Sequence, residues 1–247
     1  MMQNSIVISA GKPVSMRLYA IHHAGGSHML YRPWASLLPE WIELTALEIP
    51  GRGLSFGAPF CQSMEDAIEL LLSEIQTDTP FALFGHSMGA LIAYELTLRL
   101  QRQHTPPVWL GLSAFLPPHV KNQTALSRYS WGNNQLMDYL FTLGGIPNLD
   151  EFTAEPAVMN MLLDILRCDF SLIDNWRMSD EIITENIQAH CFSSREDPVA
   201  GHQLMSDWQK YIASSFSHTV FSGGHFYLAK HVEALLDIIV MELHSLR

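Results

Sequence analysis

A serine between two glycines is the first group in this sequence that could perform chemistry. The stretch Gly85-His86-Ser87-Met88-Gly89 fits the pattern G-x-S-x-G, with an apolar run before it and a good helix former after it. A serine raised on a sharp strand-to-helix turn is crowded, so glycine fits best two positions before and after it. Such a turn exposes the hydroxyl and places the Met88 N–H where it can stabilise an oxyanion. The pattern predicts Ser87 as a nucleophile; the alternative is a glycine-rich turn that permits close packing.

A serine hydroxyl is a poor nucleophile until a base removes its proton. The sequence has 12 histidines, so the base must be identified by its position. After a nucleophile of this kind, the acid and then the histidine follow, each behind a later strand. His225 fits, because it follows a predicted strand at 218–221 and a flexible turn at 222–224, and we expect it to open the last helix. A helix cap is the alternative role for His225. His86 is expected to be structural, because its side chain should point away from the Ser87 hydroxyl.

Asp197 is the predicted acid partner of this histidine. It lies in a loop that follows a predicted strand, and Pro198 suits the first turn of the next helix. Two alternatives stay open: Asp197 could be an ordinary helix N-cap, and Glu196 could be the acid. Asp169 and Asp174 are weaker candidates because they lie within a predicted helical insertion.

The second oxyanion donor is expected in the loop after an early strand. The stretch His22-His23-Ala24-Gly25-Gly26 lies there, and its glycines allow backbone N–H groups to approach a ligand without obstruction. We predict the Ala24 N–H as the donor, with Gly25 as the second choice. A metal site at the two histidines is disfavoured, because neighbouring strand residues point to opposite faces and no third ligand is evident. No metal or cofactor is expected.

Short apolar runs alternate with helix-like segments along the chain. Strands are predicted at 17–22, 42–49, 81–84, 108–113, 188–192 and 218–221, and helices at 64–76, 88–103, 198–214 and 226–243. This alternation predicts an α/β fold with a mostly parallel central sheet flanked by helices. The length of 247 residues fits a single domain.

One stretch, about 117–183, breaks the alternation because it contains helical patterns and no convincing strand. Within it, Met159, Leu166 and Ile173 share one face at helical spacing. An insertion of this kind predicts a helical lid over the carboxyl edge of the sheet, where ligands of open α/β folds bind. The alternative is a set of ordinary helices packed on the core.

Composition excludes several classes of protein. The chain has 14 Lys and Arg against 25 Asp and Glu, a net charge of −11, and its basic residues are scattered. Binding to nucleic acid or to an anionic membrane is therefore not expected. Three dispersed cysteines form no disulfide or zinc pattern. The most apolar stretch, 81–98, is a poor membrane span, and no signal peptide is evident. A cytoplasmic location is expected.

Five motifs occur in a familiar order: His23-Ala24-Gly25-Gly26, Pro50-Gly51-Arg52-Gly53, Gly85-His86-Ser87-Met88-Gly89, Leu166-Arg167-Cys168-Asp169-Phe170 and Gly223-Gly224-His225-Phe226. With them the sequence resembles, over about 18–236, the type II thioesterases, the stand-alone editing enzymes of nonribosomal peptide and polyketide synthesis. Two departures are His22, where the family more often has proline, and Cys168, where alanine is commoner.

The resemblance implies an α/β-hydrolase with a mobile helical lid. It also implies hydrolysis of stalled or incorrect acyl groups from the phosphopantetheine arm of carrier proteins, by a monomer. Ser87, Asp197 and His225 match the family's triad positions, and Met88 and Ala24 match its oxyanion donors. Two rival functions stay open: a carboxylesterase that acts on free esters, and a binding module that kept the fold without the activity.

Overall fold

A central sheet organises the computed structural model, which describes residues 4–11, 13–144 and 156–247. The described strands are β1 Ser5–Ser9, β2 Met16–Ile21, β3 Ile42–Leu47, β4 Phe81–His86, β5 Trp109–Ser113, β6 Gln188–Ser194 and β7 Phe216–Phe221. Their order is β1-β3-β2-β4-β5-β6-β7. β1 runs antiparallel to β3, and every other pair is parallel. The prediction of a mostly parallel sheet is confirmed.

Helices cover both faces of this sheet. The described α-helices are α1 Met64–Leu72, α2 Met88–Arg102, α3 Pro118–Lys121, α4 Asn133–Leu143, α5 Pro156–Asn175, α6 His202–Met205 and α7 Val232–Ser245. Short 3-10 helices cover His28–Ser36, Gly53–Ser55, Arg128–Ser130, Ser206–Tyr211 and Tyr227–Ala229. One apolar layer joins the sheet to α1, α2 and α5, and the other joins it to α7 and the first 3-10 helix.

The central strand β4 shows why the sequence folds in this way. All six of its residues are buried, as expected for a parallel strand covered on both faces. Leu83 packs into one apolar layer, whereas Ala82 and Phe84 pack into the other, so the strand contributes side chains to both apolar layers. The carboxyl end of β4 then meets the amino end of α2, which fixes the turn that carries Ser87.

Three predicted helices were wrong in extent. The helix expected at 64–76 is α1, which ends at Leu72. The chain at 198–214 forms only the short α6 and a 3-10 helix, because the loop after Asp197 is folded around that side chain. The chain at 226–243 first makes a 3-10 turn, and α7 begins at Val232. Buried Tyr227 holds this turn, because its hydroxyl is hydrogen-bonded to the Ser113 hydroxyl at 2.6 Å.

The described residues between β5 and β6 form the helices α3, α4 and α5. Part of the predicted insertion, 145–155, lies outside the described residues. The described remainder of 117–183 contains no strand, and its one β-bridge joins Ile183 to Ile212. Among the described helices, none combines the length and apolar composition that a membrane span requires.

Candidate active site

Ser87 lies on a strained turn between β4 and α2. Its φ of 56° and ψ of −121° are uncommon for a residue with a side chain, and such conformations cost on the order of 1–3 kcal/mol. A Cβ at Gly85 would lie 2.0 Å from the Gly89 carbonyl oxygen, and a Cβ at Gly89 would lie 2.0 Å from the Ile21 oxygen. Only glycine fits both positions, so the sequence pattern follows from the packing of this turn.

The structure brings the three predicted catalytic side chains into one hydrogen-bonded chain. The Ser87 hydroxyl donates to His225 Nε2, with 2.9 Å between the two atoms. The Nδ1–H of His225 donates to Asp197 Oδ2, also over 2.9 Å. The His225 side chain is only 4% exposed, and the Asp197 side chain is fully buried. The arrangement can transfer the serine proton to an imidazole whose tautomer is set by a carboxylate.

Asp197 is held as a carboxylate by several donors. Its Oδ1 accepts the N–H groups of Val199 at 2.8 Å and Ala200 at 3.1 Å. Burial alone would raise the pKa of Asp197, but the hydrogen bond from His225 and these two donors outweigh it, so the pKa lies below its usual value. Asp197 does not cap a helix, and Pro198 is not in a first helical turn, because α6 begins at His202.

His225 sits in a turn and does not open the last helix, as the sequence had suggested. A hydrogen bond of 2.9 Å from the Ser194 hydroxyl to the Gly224 carbonyl ties this turn to the end of β6. The Glu196 carboxylate accepts the Gly223 N–H on the same turn, so Glu196 supports the histidine's backbone rather than its ring. The ends of β6 and β7 therefore set the position of the imidazole together.

The loop after β2 brings Ala24 to the same pocket as Ser87 and His225. The Gly25 N–H donates to Asp169 Oδ2 over 2.7 Å and is therefore occupied. The Ala24 N–H bonds to no acceptor in the described part of the chain, which leaves it available to an oxyanion. Met88 is the first residue of α2, so its N–H belongs to the unpaired group at the helix N-terminus.

A buried ion pair, not predicted from the sequence, lies beneath this loop. Arg52 Nη1 and Nη2 donate to the two oxygens of Asp169 at 2.6 and 2.7 Å, and the side chains are 2% and 0% exposed. Asp169, on α5, therefore binds Arg52 and the Gly25 N–H of the loop, and it is not the acid that pairs with His225. Both residues lie in motifs that carry the family resemblance, which was the only available signal.

The histidines around the triad are occupied by local hydrogen bonds. His86 Nδ1 lies 2.8 Å from the Ser113 hydroxyl, away from the nucleophile, as expected for a structural residue. His22 Nδ1 and His23 Nδ1 each bond to a backbone carbonyl over 2.8 Å. Burial lowers the pKa of His23 to about 4, and burial also holds the pKa of His22 well below its usual value. Within the described residues, no group of His, Cys, Asp or Glu could hold a metal ion.

Two adjoining cavities lie beside the nucleophile. The smaller, of about 40 Å³, contains Ser87, and the larger has a volume of about 280 Å³. Both cavities are lined by Phe115, Arg128, Tyr139, Ile173 and Val199. The shared walls are mostly apolar and come from the β5–α3 loop, the helices before β6 and the loop after Asp197. The space suits an acyl group attached to the serine.

Comparison with known proteins relates the whole chain to one family. The model of the thioesterase domain family matches residues 16–243. "Linear gramicidin dehydrogenase LgrE" of Brevibacillus parabrevis is 30% identical over 92% of this chain and 88% of its own. "Gramicidin S biosynthesis protein GrsT" of Aneurinibacillus migulanus is 30% identical over 97% of this chain and 92% of its own. The solved structure of the type II thioesterase BorB from the borrelidin biosynthetic cluster is 26% identical, with a TM-score of 0.84 and 97% of each chain covered.

Proposed function

This chain belongs to the thioesterase domain family, and from that premise we propose that it is a type II editing thioesterase. It hydrolyses acyl groups from the phosphopantetheine arms of carrier proteins in nonribosomal peptide or polyketide synthesis. One observation carries the proposal: the hydrogen-bonded chain Ser87–His225–Asp197 lies beside an apolar cavity, in a sequence that matches this family over most of its length.

The geometry accounts for both halves of the reaction. Ser87 Oγ attacks the thioester carbonyl while His225 Nε2 takes its proton, and Asp197 stabilises the resulting imidazolium. The oxyanion of the tetrahedral intermediate accepts from the N–H groups of Met88 and Ala24. The C–S bond then breaks, and the thiolate of the arm takes the proton from His225. Water, deprotonated by His225, attacks the acyl-serine, and the intermediate collapses to the free acid and the serine hydroxyl.

The cavities support a broad choice of acyl group. Their shared walls are mostly aliphatic and aromatic, and the one charged side chain among the described residues there, Arg128, is fixed by a 2.5 Å hydrogen bond to Asp174 and by its contact with the Phe170 ring. No fixed donor–acceptor pattern is needed to hold an alkyl chain in such a space. An editing enzyme must accept several stalled groups, and an apolar cavity of about 280 Å³ that adjoins the smaller cavity at Ser87 is consistent with that task.

The names of related proteins support the pathway. GrsT is named for gramicidin S biosynthesis, and the BorB structure comes from the borrelidin biosynthetic cluster. LgrE carries the name of a dehydrogenase, but it too belongs to a gramicidin pathway by name. We infer that the natural substrates of this chain are acylated carrier domains of such an assembly line, and that the chain acts as a cytoplasmic monomer.

The test is hydrolysis of a panel of acyl-carrier proteins by the wild type and by Ser87→Ala. We expect release of free acid by the wild type and none by the variant, which should also fail to react with a fluorophosphonate. Ser206→Ala is the matched control, because its hydroxyl bonds only within its own turn in the described structure. If a p-nitrophenyl ester is turned over far better than any acyl-carrier protein, the carboxylesterase alternative is correct. Absence of labelling in the wild type indicates the binding module.

A further inference from the structure

His22 is a buried histidine that the proposed reaction does not use. It directly follows β2 and is only 1% exposed. Burial, together with the charge of Arg52, lowers its pKa well below the usual value, so the ring is neutral. Its Nε2 has no hydrogen-bond partner among the described residues. A buried ring nitrogen without a hydrogen-bond partner destabilises the folded protein, so the presence of His22 at this position needs a structural or functional explanation.

Within the described part of the chain the His22 ring makes one hydrogen bond, from Nδ1 to the carbonyl oxygen of His23 over 2.8 Å. A carbonyl oxygen can only accept, so Nδ1 carries the hydrogen and Nε2 does not. The same carbonyl accepts the Gly26 N–H at 2.9 Å. This carbonyl belongs to the peptide group whose other end is the Ala24 N–H, the proposed oxyanion donor.

The next peptide group of the loop is held in a similar way. Its carbonyl, from Ala24, accepts from His23 Nδ1 over 2.8 Å, and its N–H, from Gly25, donates to Asp169 over 2.7 Å. The first peptide group, formed by the His23 carbonyl and the Ala24 N–H, has no partner at its N–H among the described residues, which leaves that hydrogen free for the substrate. Its orientation therefore depends on what binds its carbonyl, and His22 is the one side chain in the described structure that does so.

We propose that His22 is a positioning residue for acyl transfer: its Nδ1–H orients and polarises the peptide group that presents the Ala24 N–H to the oxyanion. Rotation of that group would turn the donor away from the substrate. A carbonyl that accepts two hydrogen bonds also draws electron density from its own nitrogen, and cooperative strengthening of about 10–30% per bond is typical. The inference rests on the proposed role of Ala24 and extends it to a residue that does not touch the substrate.

Two substitutions of similar size separate this role from simple packing. The amide nitrogen of His22→Asn can occupy the place of ring Nδ1 and keep the donor, whereas that of His22→Gln reaches toward the place of Nε2. Removing an oxyanion donor outright lowers kcat by roughly 10²–10³-fold, so we expect about a tenfold loss for His22→Gln and at most about threefold for His22→Asn. KM should change little in either, because the contact acts on the transition state.

The assay uses p-nitrophenyl acetate, together with inhibition by an alkyl boronic acid, whose adduct with Ser87 places an oxygen where the oxyanion forms. The boronate should bind His22→Gln about tenfold more weakly, in step with kcat. Equal losses in both variants, or a lower kcat with unchanged boronate affinity, would overturn the proposal. The ester assay does not require a carrier protein. Failure to hydrolyse acyl-carrier proteins would therefore refute the proposed function, but it would not affect the test of His22.

A measurement on the wild type does not depend on the folding of any variant. In ¹⁵N-histidine-labelled protein, the His22 signals should show the neutral tautomer with hydrogen on Nδ1 from pH 6 to pH 8. A hydrogen on Nε2 would leave no donor for the His23 carbonyl and would overturn the proposal. The signals are assigned by their loss in His22→Asn.

Discussion

The ion pair between Arg52 and Asp169 should be a main support of both stability and catalysis. Replacing Asp169 by asparagine leaves a guanidinium that is 2% exposed without its carboxylate, and it removes two hydrogen bonds of 2.6 and 2.7 Å between charged groups. Breaking a buried pair from one side costs about 3–5 kcal/mol. For a chain of this length that corresponds to a fall in Tm of roughly 6–20 °C.

The same substitution should slow the reaction. Asp169 also accepts the Gly25 N–H, which links helix α5 to the loop that presents the Ala24 N–H. We expect kcat to fall by about tenfold at a temperature where the variant is folded, with a smaller effect on KM, because the donor acts in the transition state.

Urea denaturation and a double-mutant cycle provide the measurement. The cycle compares Asp169→Asn, Arg52→Met and the combined variant, in which no buried charge is left unpaired. Glu181→Gln is the control, because its pair with Arg102 is about half exposed and should be worth less than about 1 kcal/mol. A coupling energy below about 1 kcal/mol, or a loss in Asp169→Asn no larger than in the control, would refute this account of the pair.

Three further predictions follow from the site. Asp197→Asn should lower kcat by about 10³–10⁴-fold, because an amide does not hold the required tautomer of His225; a larger loss in Glu196→Gln would mean that the acid is misassigned. Burial lowers the pKa of His23 to about 4, from about 6.5 in the unfolded chain. The stability that the neutral ring contributes to the folded state is therefore complete above pH 6.5 and is lost as the pH falls toward 4. Urea denaturation should therefore show a loss of about 2 kcal/mol from pH 7 to pH 5, and an unchanged free energy of unfolding would contradict it. Val199→Phe, on the wall shared by both cavities, should reduce turnover of long acyl thioesters more than that of acetyl thioesters; equal losses would place the acyl group elsewhere.

The nucleophile turn could be predicted because its causes are local. An apolar strand, two glycines and a helix former are adjacent in the sequence, and the contacts that demand glycine involve the turn itself and the neighbouring strand β2. The order of acid and histidine could be predicted for a similar reason, since each follows a short strand-like segment in the alternation of strands and helices along the chain. These features need no knowledge of how distant segments pack.

The features that were missed depend on distant contacts. The antiparallel edge strand β1 is only half buried, so it lacks a distinctive pattern. Arg52 and Asp169 are 117 residues apart, and nothing near either residue in the sequence indicates the other. The start of α7 at Val232, later than predicted, depends on the hydrogen bond between Tyr227 and Ser113, which joins the 3-10 turn before α7 to the end of β5.

The cluster of imidazoles around the nucleophile shows how one base can be selected among chemically identical groups. The ring centre of His86 lies 5.4 Å from that of His225 and 6.1 Å from that of His23. In the proposed reaction an imidazolium forms on His225 in each turnover, and a second positive charge at these distances would oppose it. Burial keeps the pKa of His86 and of His23 low, so both rings stay neutral. Among these three rings, only that of His225 bonds to both the Ser87 hydroxyl and the Asp197 carboxylate, and these two contacts make it the base in the proposed reaction.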